Sequence, residues 1–140
     1  MSVRECKISQ IGHVVDSRGT LNFLEAGSSE VPFDIKRVYC LMGVNPLSIR
    51  GEHGHKNLQQ IMVALSGSVV IDLFDGQDKK KYILNSPSEG LYVCGGMWRT
   101  LSNFSNDAVV LVLASEKYDE DDYIRNIDDF MAFKNINSQN

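Results

Sequence analysis

Residues 50–56 read Arg-Gly-Glu-His-Gly-His-Lys, and Gln60 and Gly67 follow them. His53 and His55 are two positions apart, so in a β-strand both side chains lie on one face, roughly 7 Å from each other. Protein cores more usually hold a single hydrogen-bonded histidine. The pair therefore indicates one of two things. Either both histidines are hydrogen-bonded residues of the interior, or they form a site for proton transfer or metal binding.

Short strand-like runs, separated by turn residues, surround this stretch. Each run is rich in the β-branched or aromatic residues that half-buried strands prefer. Asp75-Gly76 lies between two of them and predicts a hairpin turn. The predicted strands are Val38–Met42, Gln60–Leu65, Val69–Phe74, Lys81–Leu84, Gly90–Cys94 and Val109–Ala114. Many short strands at this spacing predict a closed or sandwiched all-β domain.

The two ends of the chain differ from this pattern. Residues 118–122 are mostly acidic, which suits the N-terminus of a helix. Apolar residues then recur at three- and four-residue spacing, so we predict a C-terminal α-helix over residues 119–134 that covers the sheets. At the other end, residues 3–11 alternate only weakly and predict a poor strand on their own.

Length and composition restrict the class of protein. A chain of 140 residues with 43% hydrophobic and 23% charged residues predicts one globular domain over residues 1–140. The net charge of −4 excludes a protein that coats nucleic acid. No apolar run reaches the roughly 18 residues of a membrane span. Three cysteines without a CxxC pair, and no signal peptide, predict a cytoplasmic protein.

The spacing His-x-His-x4-Gln-x6-Gly resembles the first motif of the cupins, which usually have glutamate where Gln60 stands. Metal-binding cupins use both histidines, that carboxylate and a further histidine from a second motif. Here Trp98-Arg99-Thr100 occupies the place of the further histidine, and an amide is a poor ligand for divalent cations. Two histidines without an anionic partner hold a metal weakly. We therefore predict no metal and no other cofactor.

Without a metal, a functional histidine pair must work by proton transfer. Imidazole, with an ordinary pKa near 6.5, gives and takes protons at neutral pH. Moving a carbonyl along a carbon chain requires a base that removes the adjacent C–H proton, an enediol, and reprotonation of the old carbonyl carbon. His53 and His55 could serve the carbon and the neighbouring oxygen.

Six segments, spread over nearly the whole chain, are similar to one known protein family. They are residues 16–21 (DSRGTL), 33–39 (FDIKRVY), 50–56 (RGEHGHK), 86–93 (SPSEGLYV), 112–115 (VLAS) and 118–125 (YDEDDYIR). In these segments the chain resembles the dTDP-sugar 3,4-ketoisomerases, small metal-free cupins of bacterial deoxysugar biosynthesis. One departure is Gly54, where that family more often has alanine. The resemblance implies an all-β cupin fold, a jelly-roll or double-stranded β-helix barrel with a C-terminal α-helix.

The resemblance also implies a reaction and an assembly. The substrate would be dTDP-4-keto-6-deoxy-D-glucose and the product a dTDP-3-keto-6-deoxyhexose of galacto or gluco configuration, for 3-amino-3,6-dideoxy-sugar biosynthesis. One of His53 and His55 would move the proton from C3 to C4, and the other would serve the sugar oxygens; the sequence leaves open which does which. The enzyme would be a homodimer formed by exchange of an N-terminal strand, residues 1–12.

Several other residues are candidates for the same site. Tyr39 could hydrogen-bond the hexose. Arg50, at the mouth of the histidine strand, and Arg18, in the Asp-x-Arg-Gly turn, suit a diphosphate, and Arg50 could also stabilise enediolate charge. The remaining candidates are Arg99 and Gln60 for the substrate, and Trp98 and Tyr92 for stacking on thymine.

Three other functions remain open from the sequence. A metal-dependent cupin enzyme would need ligands beyond the two histidines. A non-catalytic sugar-binding cupin would keep the arginines and aromatic residues but would not need both histidines. A 3,5-epimerase of the same nucleotide sugars would need a differently arranged acid and base.

Overall fold

Two five-stranded antiparallel sheets form the body of the protein in the computed structural model, which describes residues 1–138. The elements are β1 (Lys7–Gln10), β2 (Gly12–Asp16), β3 (Gly19–Phe23), β4 (Arg37–Met42), β5 (Arg50–His55), β6 (Gln60–Ser66), β7 (Val69–Phe74), β8 (Lys79–Leu84), β9 (Glu89–Val93), β10 (Trp98–Ser102), β11 (Val109–Ala114), β12 (Tyr123–Ile124) and α1 (Ile127–Ser138). The first sheet has the order β1-β9-β6-β11-β4 and the second the order β12-β5-β10-β7-β8, while β2 and β3 pair only with each other.

The main core lies between the two sheets. Alternate residues of each strand point inward, as β7 shows with its alternation of buried and half-buried positions. Met62 and Val112 of the first sheet belong to the same buried cluster as Ile71 and Leu101 of the second. Full burial of each such side chain stabilises the fold by about 1.5–3 kcal/mol. The shared cluster fixes the sheets face to face.

The predicted all-β class with a C-terminal helix is confirmed. All six predicted strands are present, as β4, β6, β7, β8, β9 and β11. The Asp75-Gly76 turn joins β7 to β8 as predicted, and the histidines lie on β5. The predicted domain spans residues 1–140, of which 139 and 140 lie outside the described residues.

The C-terminal helix begins later than predicted. We expected it over residues 119–134, whereas α1 runs from Ile127 to Ser138. The side chain of Asn126 sets the start, because its Oδ1 accepts the backbone N–H groups of Asp128 (2.8 Å) and Asp129 (3.2 Å). This is the N-cap arrangement that satisfies free donors in the first turn.

The acidic run ahead of the helix has a different role from the predicted one. It forms a single 3-10 turn, Glu120–Asp122, whose N-cap is Asp119. Strand β12 follows directly and pairs with the end of β5. Helix α1 then packs over β5 through the fully buried Phe130, because Gly54 has no side chain there to block it.

The N-terminal part of the chain forms two separate features. Strand β1 pairs with β9 in the same chain. The β2–β3 hairpin joins neither large sheet and carries exposed apolar side chains, including Val15 (66% exposed) and Leu21 (64% exposed). Within residues 1–138, no helix combines the length and the apolar character needed to cross a membrane.

Candidate active site

A pocket of about 270 Å³ is walled by β4 of the first sheet and by β5, β10 and β12 of the second. Its polar wall is made of three arginines, two tyrosines and one histidine. They are Arg37, Arg50, Arg99, Tyr39, Tyr123 and His53. Three guanidinium groups in one small pocket favour an anionic ligand such as a diphosphate.

The two predicted histidines meet at this wall. Their Nε2 atoms are 3.1 Å apart and the ring planes are nearly perpendicular, at 87°. His53 is half-buried and lines the pocket, whereas His55 is 3% exposed and does not line it. His53 is therefore the histidine that faces a ligand, and His55 lies behind it.

Both imidazoles are neutral at pH 7. Burial, and next the positive charge of Arg99, lower the pKa of His53 to about 3, and the same two causes lower the pKa of His55 to about 3. Neutral imidazoles have a free nitrogen lone pair and can accept a proton. The pair is thus in the protonation state that a base requires.

Arg99 lies where the sequence marks the place of a metal-binding cupin's further histidine. It is 4% exposed, and its Nη2 is 3.2 Å from His53 Nε2. A guanidinium is permanently charged, so it repels a metal cation at this position. Among residues 1–138, no three His, Cys, Asp or Glu side chains converge in a way that could hold a metal ion.

Tyr39 is held with its hydroxyl proton free. Gln60 Nε2 donates to Tyr39 Oη over 2.8 Å, and Arg99 Nη2 donates to the same oxygen over 3.3 Å. The phenol accepts both hydrogen bonds, which leaves its own proton to donate into the pocket. We predicted Gln60 as a substrate-binding residue, but it is 1% exposed and does not line the pocket. Its side chain positions Tyr39 instead.

Arg50 lies exposed at the rim of the pocket, at the start of β5. The next residue, Gly51, has φ +64° in the left-handed region that favours glycine. Here the pairing of β5 with β10 shifts register between Arg99 and Leu101. A Cβ on Gly51 would be 3.3 Å from Arg99 Nη1. The glycine therefore accommodates both the irregular turn of β5 and the buried guanidinium.

Besides His55 and Gln60, three further predicted residues lie outside the pocket. Arg18 is at the end of the β2–β3 hairpin, with a side chain 89% exposed and its Nη2 2.7 Å from Asp16 Oδ2. Trp98 precedes Arg99 on β10 and so faces the opposite side, where its ring packs 5.7 Å from that of Phe130. Tyr92 lies on β9 and does not line the pocket. Neither aromatic residue is placed to stack on a base in this pocket.

Two residues near the histidines were missed as site residues. Asp122 Oδ2 is 3.1 Å from His55 Nδ1. The ring of Tyr123 lies 4.9 Å from that of His53 and 4.4 Å from that of His55. Both residues belong to the segment 118–125 that carries the family resemblance, which was the only signal for them in the sequence.

Comparison with known proteins identifies the family of this chain. The family model described as "FdtA: WxcM-like, C-terminal" matches residues 4–135. The chain belongs to this family. The resemblance predicted from the sequence is confirmed, and the cupin-type fold with it.

Characterised relatives cover nearly the whole chain. The TDP-4-oxo-6-deoxy-alpha-D-glucose-3,4-oxoisomerase of Aneurinibacillus thermoaerophilus is 42% identical over 129 residues, 92% of each chain. The solved structure of WlaRB, a TDP-quinovose 3,4-ketoisomerase of Campylobacter jejuni, is 47% identical with a TM-score of 0.88, over 92% of this chain and 98% of that one. A histidine-to-asparagine mutant of the 3,4-ketoisomerase QdtA of Thermoanaerobacterium thermosaccharolyticum, in complex with TDP-4-keto-6-deoxyglucose, is 40% identical with a TM-score of 0.89, over 94% of each chain.

Proposed function

We propose that this protein is a TDP-4-keto-6-deoxyglucose 3,4-ketoisomerase, an isomerase that gives a TDP-3-keto-6-deoxyhexose. The observation that carries the proposal is the contact between two neutral histidines, one of them in the wall of an arginine-rich pocket. The relatives of known activity support the same reaction and the same substrate. No step of this reaction requires an external oxidant or reductant, because one carbon is oxidised while its neighbour is reduced.

The positions of the side chains indicate a role in the isomerisation for each of His53, Tyr39 and Arg99. His53 faces the pocket, so it takes the C3 proton and delivers a proton at C4. Tyr39 donates a hydrogen bond to the 4-keto oxygen, and the proton that O4 gains is balanced by the one that the O3 hydroxyl loses. Arg99, buried beside both groups, stabilises the negative charge of the enediolate, a form of electrostatic stabilisation that contributes several kcal/mol in water-poor sites. The proton removed at one carbon balances the proton added at the other.

The diphosphate of the substrate has candidate partners at the rim. Arg50 is exposed there, and Arg37 lines the same pocket. Planar guanidinium groups bind phosphate oxygens in pairs and suit this role. Arg18, the other predicted diphosphate ligand, would take part only if its hairpin reached the pocket of a second copy of the chain.

We propose a homodimer as the working assembly. Val15 and Leu21 on the hairpin are exposed, and so are Val38 (57%) and Met42 (65%) on the outer face of β4. Apolar surface of this extent is more usual at an interface than in contact with water. Since β1 pairs with β9 within one chain, the β2–β3 hairpin is a better candidate for exchange than residues 1–12. We also propose a cytoplasmic location, which suits three free thiols.

Turnover by metal-stripped protein tests the proposed function. Protein treated with a chelator is mixed with TDP-4-keto-6-deoxyglucose, and the sugar signals are followed by NMR. We expect a 3-keto product from the wild type and a loss of at least about 100-fold in rate for His53→Asn, with TDP binding retained. Turnover that appears only after Fe or Zn is added would show a metal-dependent cupin enzyme. Tight TDP binding without turnover would show a binding protein, and either result overturns the proposal.

A further inference from the structure

The 3-10 turn ahead of β12 brings a carboxylate against the buried side of the histidine pair. The side chain of Asp122 is 11% exposed, and its Oδ2 lies 3.1 Å from His55 Nδ1. Its Oδ1 also accepts the backbone N–H of Asn57 (2.8 Å), and its Oδ2 accepts that of Leu58 (3.3 Å). Both oxygens of this carboxylate thus accept hydrogen bonds from backbone N–H groups, and a carboxylate has no proton to donate. Asp122 is therefore an acceptor only.

The proton on His55 follows from this arrangement. Because the carboxylate of Asp122 can only accept, the facing Nδ1 of His55 must carry a proton. This holds for both charge states of the imidazole. In the neutral ring, the His55 Nε2 lone pair accepts a hydrogen bond from the Nε2–H group of His53. In the imidazolium, His55 Nε2 donates to His53 Nε2 instead.

Arg99 is the other neighbour of His53 Nε2, and its hydrogen bonds differ between the two protonation states. Its guanidinium can only donate, and its Nη2 lies 3.2 Å from His53 Nε2. It can donate to that nitrogen only when His53 has given its Nε2 proton to His55. In the other state, Arg99 donates to Tyr39 alone. Passage of one proton from His53 to His55 thus creates one hydrogen bond at Arg99.

We propose that Asp122 is a positioning residue that keeps a proton on His55 Nδ1, so that His55 exchanges protons with His53 only through Nε2. The catalytic meaning of this inference rests on the proposed function. When His53 takes a proton from the sugar, its own Nε2 proton moves to His55 across the 3.1 Å contact. The net change is one proton on His55, and the reverse transfer to His53 Nε2 lets His53 give up to the sugar the proton that it took.

The surroundings of His55 show why it needs an anionic partner. Arg99, Arg37 and Arg125 all act against a positive charge on this ring, as does its burial. Asp122 is the carboxylate in contact with the ring, and it offsets these effects when His55 takes the proton. The backbone also fixes the carboxylate in place, since Lys56 N–H donates to the Asp122 carbonyl over 3.0 Å.

The decisive variant is Asp122→Asn, which keeps the shape and removes the charge. If the amide oxygen keeps the hydrogen bond from Asn57 N–H, the NH₂ group faces His55 Nδ1 and favours a proton on Nε2 instead. We expect kcat to fall by about 100-fold or more, in line with a wrong histidine tautomer. We expect KM to stay within about twofold, because Asp122 does not line the pocket. The matched control is Asp121→Asn, the exposed carboxylate next to it, which should leave kcat unchanged.

The tautomer itself is measured by ¹⁵N NMR of the histidine rings in ligand-free protein. We expect His55 Nδ1 to be protonated in the wild type and the proton to move to Nε2 in Asp122→Asn. A wild-type His55 with a bare Nδ1 overturns the inference, as does an unchanged kcat in the variant. A fall in kcat without a change of tautomer would show a merely structural role. The wild-type spectrum needs neither turnover nor a folded variant, so the inference and the proposed function can fail separately.

Discussion

At the scale of single residues, we propose that Arg99 determines the chemistry of the pocket. It is buried within hydrogen-bond distance of both His53 and Tyr39. A histidine at this position would complete a set of metal ligands, whereas a guanidinium repels a cation and stabilises an oxyanion. One side chain thus favours proton transfer through an enediolate over metal chemistry.

The protein should become less stable at acidic pH because the pKa of His55 is lowered in the folded state. Its pKa is lowered to about 3 in the folded chain, against about 6.5 when unfolded. Below pH 6.5 the unfolded chain binds a proton there that the folded chain does not, so stability falls as the pH drops towards 3. The slope is at most about 1.4 kcal/mol per pH unit, and this residue has no effect above pH 6.5.

Urea unfolding of the wild type and of His55→Asn at pH 7, 6 and 5 measures this effect. We expect the difference in the free energy of unfolding between the two proteins to shift steadily in favour of the variant as the pH falls. A difference that stays constant from pH 7 to pH 5 would mean that His55 titrates normally in the folded protein.

The sequence predicts some site residues and not others, for physical reasons. His53 and His55 share one strand, so their spacing alone places both rings on the same face. Asp122 lies 67 positions after His55 in the chain. It reaches the ring only because β12 pairs with β5, a contact that no local pattern reveals. Arg18 was predicted from its motif, yet in one chain it lies on an exposed hairpin away from the pocket.

At the scale of secondary-structure elements, the sequence predicts a strand correctly where the strand has a clear pattern of apolar residues of its own. Strands β7 and β11 begin and end where predicted, because both are rich in β-branched and leucine residues bounded by polar turns. Strand β10 was missed, since Arg99 occupies an inward position that an apolar residue would normally fill. Strand β12 is only two residues long, too short for any periodicity. The acidic run before it resembles a helix start, but Asn126 provides the actual cap.

The packing of α1 on β5 gives a prediction at the scale of elements. A Cβ added at Gly54 would be 2.8 Å from Cδ2 of the buried Phe130. Gly54→Ala should therefore lower the free energy of unfolding by about 1–3 kcal/mol, as overpacking does in other cores. In the Phe130→Leu background the same change should cost less, because the smaller side chain leaves room.

Urea unfolding of the wild type, the two single variants and the double variant measures this coupling. Equal effects of Gly54→Ala in both backgrounds would show that Phe130 does not limit the space at this position. The result also bears on why this chain has glycine at position 54, where the dTDP-sugar 3,4-ketoisomerases more often have alanine.

The β2–β3 hairpin gives a prediction at the scale of the whole molecule. If it joins two copies of the chain, Leu21→Lys should place a charge in an apolar interface and shift the protein towards the monomer. Ile83→Lys is the matched control, since Ile83 is similarly exposed (59%) but lies on β8. Light scattering coupled to size-exclusion chromatography gives the mass of each variant. A dimeric Leu21→Lys, or a monomeric wild type, would contradict the proposed assembly.

The most direct measurement is the position of deuterium in the product. Metal-stripped protein converts TDP-4-keto-6-deoxyglucose in D₂O, and NMR follows the signals at C3 and C4. If the histidine pair moves protons through an enediol and the proton held by His53 exchanges with solvent before it is returned, deuterium enters at C4 as the 3-keto product forms, and His53→Asn abolishes both events. Formation of the product at the wild-type rate by His53→Asn, or with Fe or Zn as an absolute requirement, would contradict a histidine-based, metal-free isomerisation.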